Sequence, residues 1–221
     1  MLYAMLAYSG FFFAPAAHAS VLMPGSLPLW TALLAMVLLH DRITRARAIG
    51  LACIVLGDLF VGGASLLKAF DGGEVWKGDV LFMSAAFCWA CYTVLVRRHS
   101  LDPVRATIAI TAFSCTTFIP AYGLAAYLGW VPSHLAIASA DEILFQAMYQ
   151  GIGSVVISGI TFNVMIRHFG PVRSTMITAL VPGLSALGAV VFLNEPMSLN
   201  LLAGLALVTC GILFGVRLPK P

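Results

Sequence analysis

Charge is scarce in this chain. Lys, Arg, Asp and Glu make up 10% of its 221 residues, while 61% are hydrophobic; ordinary globular chains run near 25% and 45–50%. That balance excludes a soluble domain. Catalytic motifs are missing too: there is no His-Glu-x-x-His, no phosphate-binding loop, no nucleophile-elbow serine and no buried pair of carboxylates. An intramembrane enzyme would therefore lack its reacting groups, and enzymatic activity is not expected. The histidines fall at run ends or loops without ligand spacing, so neither a metal nor a cofactor is expected. The five cysteines lie in apolar runs, and the CxxC spacing of Cys88 and Cys91 has no strand-helix context for redox chemistry.

What the chain has is long apolar runs. They fall at Leu2–Phe13, Ala19–Leu39, Ala48–Leu67, Val80–Val96, Val104–Trp130, Ile143–Ile166, Ser174–Leu193 and Leu199–Val216. Most match the roughly 20 residues a helix needs to span about 30 Å of hydrocarbon. None alternates apolar with polar residues, which argues against an outer-membrane barrel. The expected fold class is all-α, a polytopic membrane bundle with about eight helices.

Positive charge divides unevenly between the two faces this topology creates. One face carries Arg42, Arg45, Arg47, Arg97, Arg98, Arg105, Arg167, Arg173, Arg217 and Lys220; the other has Lys68 and Lys77 beside Asp71, Glu74 and Asp79. The basic face should be cytoplasmic, which places the C-terminus inside. The net charge of +3 reflects this bias and gives no reason to invoke nucleic acid.

The segment Ser20–Phe60 recurs without a gap as Ser174–Phe214. Pro28 falls on Pro182, Asp41 on Glu195, Thr44 on Ser198, Gly50 on Gly204 and Gly57 on Gly211. Internal repeats in polytopic membrane chains mark secondary transporters, whose halves rock around a shared site. Charge shows how the copies are related. Arg167–Arg173 holds two arginines and its counterpart Phe13–Ala19 none; Asp41–Arg47 holds three and its counterpart Glu195–Leu201 none. Equivalent loops should lie on opposite faces, so each copy has an odd number of helices. Five per copy fits. Residues 1–67 are then an incomplete first repeat (the last part of a third helix, then helices four and five), and residues 78–217 a complete second one. Two helices and half of a third are expected to precede Met1. Ala17-His18-Ala19 resembles a signal-cleavage site, but no Lys or Arg precedes the apolar stretch and cleavage there would cut the repeat.

Candidate cavity residues follow from breaks and polar groups inside the runs. Pro28 and Pro182 interrupt equivalent helices, with Pro24-Gly25 in one copy and Thr178 and Gly183 in the other; each proline removes a backbone hydrogen bond. Such paired breaks point to a transport site or, more simply, to packing kinks. Gln146, Gln150, Ser154 and Ser158 recur every four residues and should share an inward face, with Asn163 nearby. Trp89 and Tyr92 sit mid-run, where they could stack on a substrate or simply pack. Asp58 is the carboxylate well inside a run and a candidate coupling site, although its counterpart is the apolar Ile212. The glycine stripes Gly50/Gly57 and Gly204/Gly211 read as helix-packing faces. In Asp41-x-x-Thr44 and Glu195-x-x-Ser198 the hydroxyls can cap the next helix.

Segments Ala19–Pro28, Leu38–Thr44 and Gly50–Gly57, and again Phe169–Pro182, Phe192–Pro196 and Gly204–Gly211, resemble EamA domains of the drug/metabolite transporter superfamily. The resemblance spans essentially the whole chain and is weak for substrate. It implies ten helices in two inverted five-helix repeats and an inner-membrane carrier, often an exporter, working by alternating access. The cavity would lie among the first four helices of each repeat, with each fifth helix, and so Asp58, displaced from it. Expected partners are the lipid bilayer, a small organic metabolite or drug and, as an option, a second copy in a homodimer. The alternative is a non-transporting membrane remnant or subunit that keeps only the fold.

Overall fold

A computed structural model describes residues 2–14, 16–69, 73–129, 138–193 and 199–216, and every regular element among them is helical. In chain order these are α1 (Leu2–Gly10), α2 (Ala16–Leu38), α3 (Arg45–Ala69), α4 (Val75–Arg98), α5 (Pro103–Tyr127), α6 (Ala140–Gln146), a π-helical stretch (Ala147–Ser158), α7 (Gly159–Phe169), α8 (Pro171–Thr178), α9 (Val181–Leu193) and α10 (Leu199–Val216). Four described segments are long and apolar enough to cross a membrane: Val21–Leu38, Val75–Arg98, Pro103–Tyr127 and Ala140–Phe169.

Polar residues at the run ends set the boundaries. Asp102 caps α5 by accepting from the backbone N–H of Val104 (3.1 Å) and Arg105 (3.0 Å), with Pro103 opening the helix. Ser139 caps α6. Thr44 accepts from the N–H of Arg47 at the head of α3, as its spacing implied; Ser198 lies outside the described residues. Gly170 ends α7 at φ 82°, a conformation that needs glycine, and Pro171 starts α8.

Two of the eight runs are less regular than their composition suggests. Ile143–Ile166 becomes one continuous rod whose hydrogen-bond register widens to i→i+5 over Ala147–Ser158. Ser174–Leu193 becomes two helices. Pro182 has no N–H for the Thr178 carbonyl, and the ladder tightens at Ala179 and Leu180, which bond back to Met176 and Ile177. Its counterpart α2 contains both Pro24 and Pro28 yet stays helical throughout.

The core forms where helices carry small residues. Ala32, Ala35, Leu51, Ile54, Val94, Met176 and Val208 bury together. Around them α3 packs on α10, and α2 packs on α4, α3 and α8. The contact between α3 and α10 is built on backbone. A Cβ at Gly50 would meet the Gly211 carbonyl at 2.6 Å, and a Cβ at Gly57 would meet that of Gly204 at 2.7 Å. Numbers rise along α3 as they fall along α10, so the helices are antiparallel. The match is also reciprocal, because each copy's first glycine meets the other copy's second, as rotation about a two-fold axis requires. The glycine stripes therefore join the two copies.

Among the described residues, charged groups gather in two separate places; Asp71, Arg217 and Lys220 lie outside the described residues. Asp41, Arg47, Arg97, Arg98, His168 and Arg173 line one recess of about 600 Å³, and Arg97 donates to the Arg167 carbonyl at 2.7 Å. Lys77 pairs with Glu74 and lies over the Phe13 ring, near the His18–Asp79 contact. Phe13–Ala19 and its counterpart Arg167–Arg173 thus sit among different charged groups. By contrast, α5 buries only Pro103, Ala106 and Thr107, and α6 and the π-helical stretch bury nothing.

Candidate substrate cavity

Where α2 passes the α8–α9 break, the bundle leaves an open-sided cavity of about 420 Å³ lined by Tyr3, Phe11, Ala19, Met23, Pro24, Leu27, Ala86, Trp89, Thr178 and Val181. Two pairs in that wall are repeat counterparts, Pro24 with Thr178 and Leu27 with Val181. The axis relating the copies therefore runs through the cavity. Proline bears on its position: Pro28 in α2 and Pro182 in α9 each leave one carbonyl without its helical donor, and those carbonyls must face protein or water.

The wall is aromatic and apolar. Trp89 is its centre, with ring centroids 5.0 Å from Tyr3, 5.5 Å from Tyr92 and 5.7 Å from Phe162; tilted contacts of this kind suit aromatic quadrupoles. No described lining residue is charged. Polar side-chain groups come from Tyr3, Trp89 (its indole N–H) and Thr178, and the Thr178 hydroxyl donates to the Thr175 carbonyl at 2.7 Å.

Behind Trp89 a polar relay ties three helices. Tyr92 donates to Asn163 Oδ1 (2.9 Å), Asn163 Nδ2 donates to Thr107 Oγ1 (3.3 Å), and Thr107 donates to the Pro103 carbonyl (2.9 Å). Asn163 is fully enclosed. The relay fixes α7 and α5 to α4, so Tyr92 bonds to protein while Trp89 faces the cavity.

The residues predicted to line a cavity thus separate. Trp89 and Thr178 do. Pro28 and Pro182 are buried about one turn beyond the lining residues Pro24 and Thr178. Gln146, Gln150, Ser154 and Ser158 are exposed on the rod and do not line this cavity, because no described helix covers that face. Residues not singled out for the wall, Tyr3 and Leu27, belong to it. Their types are ordinary for a membrane helix, and only the match of Leu27 with Val181 could have flagged one of them.

Two ionisable groups are buried outside the cavity. His18 is buried at the head of α2, and its Nδ1 donates to Asp79 Oδ1 at 2.8 Å. Asp58 does not line the cavity and packs against α2 at Gly25. It is 2% exposed, and its Oδ2 lies 2.6 Å from the position a Cβ would take at Gly25. Neither of its oxygens finds a hydrogen-bond partner among the described residues.

Apolar helices of spanning length, two copies joined antiparallel, and a cavity on the axis between them define a polytopic membrane protein of the transporter class. Residues 76–217 match the EamA-like transporter family, to which the chain belongs. It is 25% identical over 210 residues to the transporter YyaM of Bacillus subtilis, covering 90% of this chain and 65% of that protein. It is 24% identical to a protein of Salmonella typhimurium described as a probable amino-acid metabolite efflux pump, covering 93% of this chain and 70% of that one. The chain thus spans about two thirds of these relatives' length. A solved crystal structure of a protein superposes with a TM-score of 0.74 at 24% identity, covering 96% of this chain and 71% of that chain, which shows the fold alone.

Proposed function

We propose that the protein is a secondary carrier moving a small organic metabolite or drug across a bacterial inner membrane by alternating access, with export as its direction and its C-terminus in the cytoplasm. The observation that carries this reading is the cavity at the counterpart pairs Pro24/Thr178 and Leu27/Val181. A site on the axis between inverted copies can open to either side as one copy tilts against the other. Its uncharged aromatic wall favours solutes with an apolar or aromatic part. The efflux name of the Salmonella relative supports the direction. Residues 1–67 and 78–217 act as an incomplete and a complete five-helix repeat.

Uptake into everted vesicles tests this. A panel of radiolabelled amino acids, aromatic metabolites and cationic dyes should include at least one solute accumulated only when the protein is present. Trp89→Ala should weaken its half-saturation about tenfold, the equivalent of one aromatic contact, and Trp89→Phe should restore most of it. No protein-dependent accumulation of any solute would contradict the carrier reading.

A further inference from the structure

Asp58 is carried by α3 deep within the bundle, at 2% exposure, with both oxygens unpartnered among the described residues. A carboxylate cannot remain charged there without a partner; it takes a proton, binds a cation or draws water. Its neighbour is the turn of α2 that holds two prolines. Pro28 has no N–H, so the Pro24 carbonyl lacks the donor a helix would supply. The peptide bearing that carbonyl continues into Gly25, where a Cβ would lie 2.6 Å from Asp58 Oδ2 and 3.3 Å from its Cβ and Cγ. The carboxyl therefore packs on Gly25, the residue that follows the carbonyl lacking its donor, and only glycine permits the approach. Across the same turn, Pro24 and Leu27 line the cavity. One turn of α2 has the acid on one side and the proposed substrate site on the other.

We propose that Asp58 is a proton site of the carrier, coupled to the cavity through the broken turn Pro24–Pro28 of α2. Protonated, the neutral carboxyl packs on Gly25 and can offer its O–H to the unpaired Pro24 carbonyl. Deprotonated, it has only acceptors facing acceptors, and α2 must hinge away from α3 to admit water, moving Pro24 and Leu27 and changing the cavity. A sodium ion fits less well, because the site shows one carboxylate and one spare carbonyl where such ions need a fuller oxygen shell. The helices packed on α3 are α2, α9 and α10. Of these, α9 has no ionisable residue, α10 has Cys210, which is exposed, and α2 has His18, two turns ahead of Gly25 and held by Asp79. This proposal rests on the carrier reading above.

The test needs no transported solute, so its failure is distinguishable from failure of the carrier reading. With Leu27→Cys as the sole cysteine, maleimide labelling in membranes is read as the ratio of the rate in the Asp58 protein to the rate in Asp58→Asn, a neutral isostere of the protonated acid, which cancels the thiol's own ionisation. That ratio should titrate with pH as a single proton requires. A second measurement avoids that substitution: in the Asp58 protein, the infrared carboxylic-acid band should disappear over the same pH range in which the ratio changes. The same pH profile in the Asp58 protein and in Asp58→Asn, which leaves their ratio flat, would overturn the proposal. An infrared band that does not follow the ratio would overturn it equally.

Discussion

Asn163 and Gly25 show how single positions carry this structure. The side chain of Asn163 is satisfied by Tyr92 and Thr107 in a place water cannot reach. Tyr92→Phe keeps the ring and strands the amide oxygen, so it should destabilise by about 1–3 kcal/mol, read as a lower unfolding midpoint in detergent. Trp89→Ala should act chiefly on solute half-saturation, which Tyr92→Phe should leave nearly unchanged. Residue-level legibility was uneven for a physical reason. An aromatic in mid-run marks itself because belts normally sit at interfaces, and Trp89 indeed faces the cavity. The glutamines at 146 and 150 follow an equally regular pattern, but periodicity reports only that residues share a face, not what covers it. His18 lies at the start of a helix, as its place at a run's edge implied, but its burial beside Asp79 was not legible, because a run's edge does not say what lies over it.

At the scale of elements, glycine and proline have opposite tasks. Gly50, Gly57 and Gly211 let α3 and α10 meet backbone to backbone. Gly211→Leu should destabilise by at least about 1–3 kcal/mol through overpacking, whereas Gly151→Ala, with nothing within 4 Å, should be neutral or slightly stabilising; unfolding midpoints of the two variants check this. Proline keeps the α8–α9 junction open. Pro182→Ala returns a donor to the Thr178 carbonyl and should raise the unfolding midpoint while slowing solute turnover, a pairing that a simple packing defect would not give. The glycine stripe and the paired prolines were both readable in advance because each changes backbone chemistry directly. That Pro182 splits its helix while α2 stays helical through two prolines was not readable, since neighbouring packing decides which interrupted ladder stays helical.

For the molecule as a whole, the repeat carries most of the inference. Alignment of Ser20–Phe60 with Ser174–Phe214, plus the swap of arginines between equivalent loops, implied two copies of opposite orientation, and the reciprocal glycine contacts of α3 with α10 have that geometry. The cavity's counterpart pairs place the proposed site on the same axis. Solute identity is not written at this scale, because an apolar wall selects by shape and area and few polar groups add a chemical signature. The most direct measurement places single cysteines at the counterpart positions Phe13→Cys and Arg167→Cys and labels them with a membrane-impermeant maleimide in right-side-out and everted vesicles. Labelling of position 13 only from outside and of position 167 only from inside is the expected result; both reacting from the same side would contradict the inverted pair and the carrier built on it.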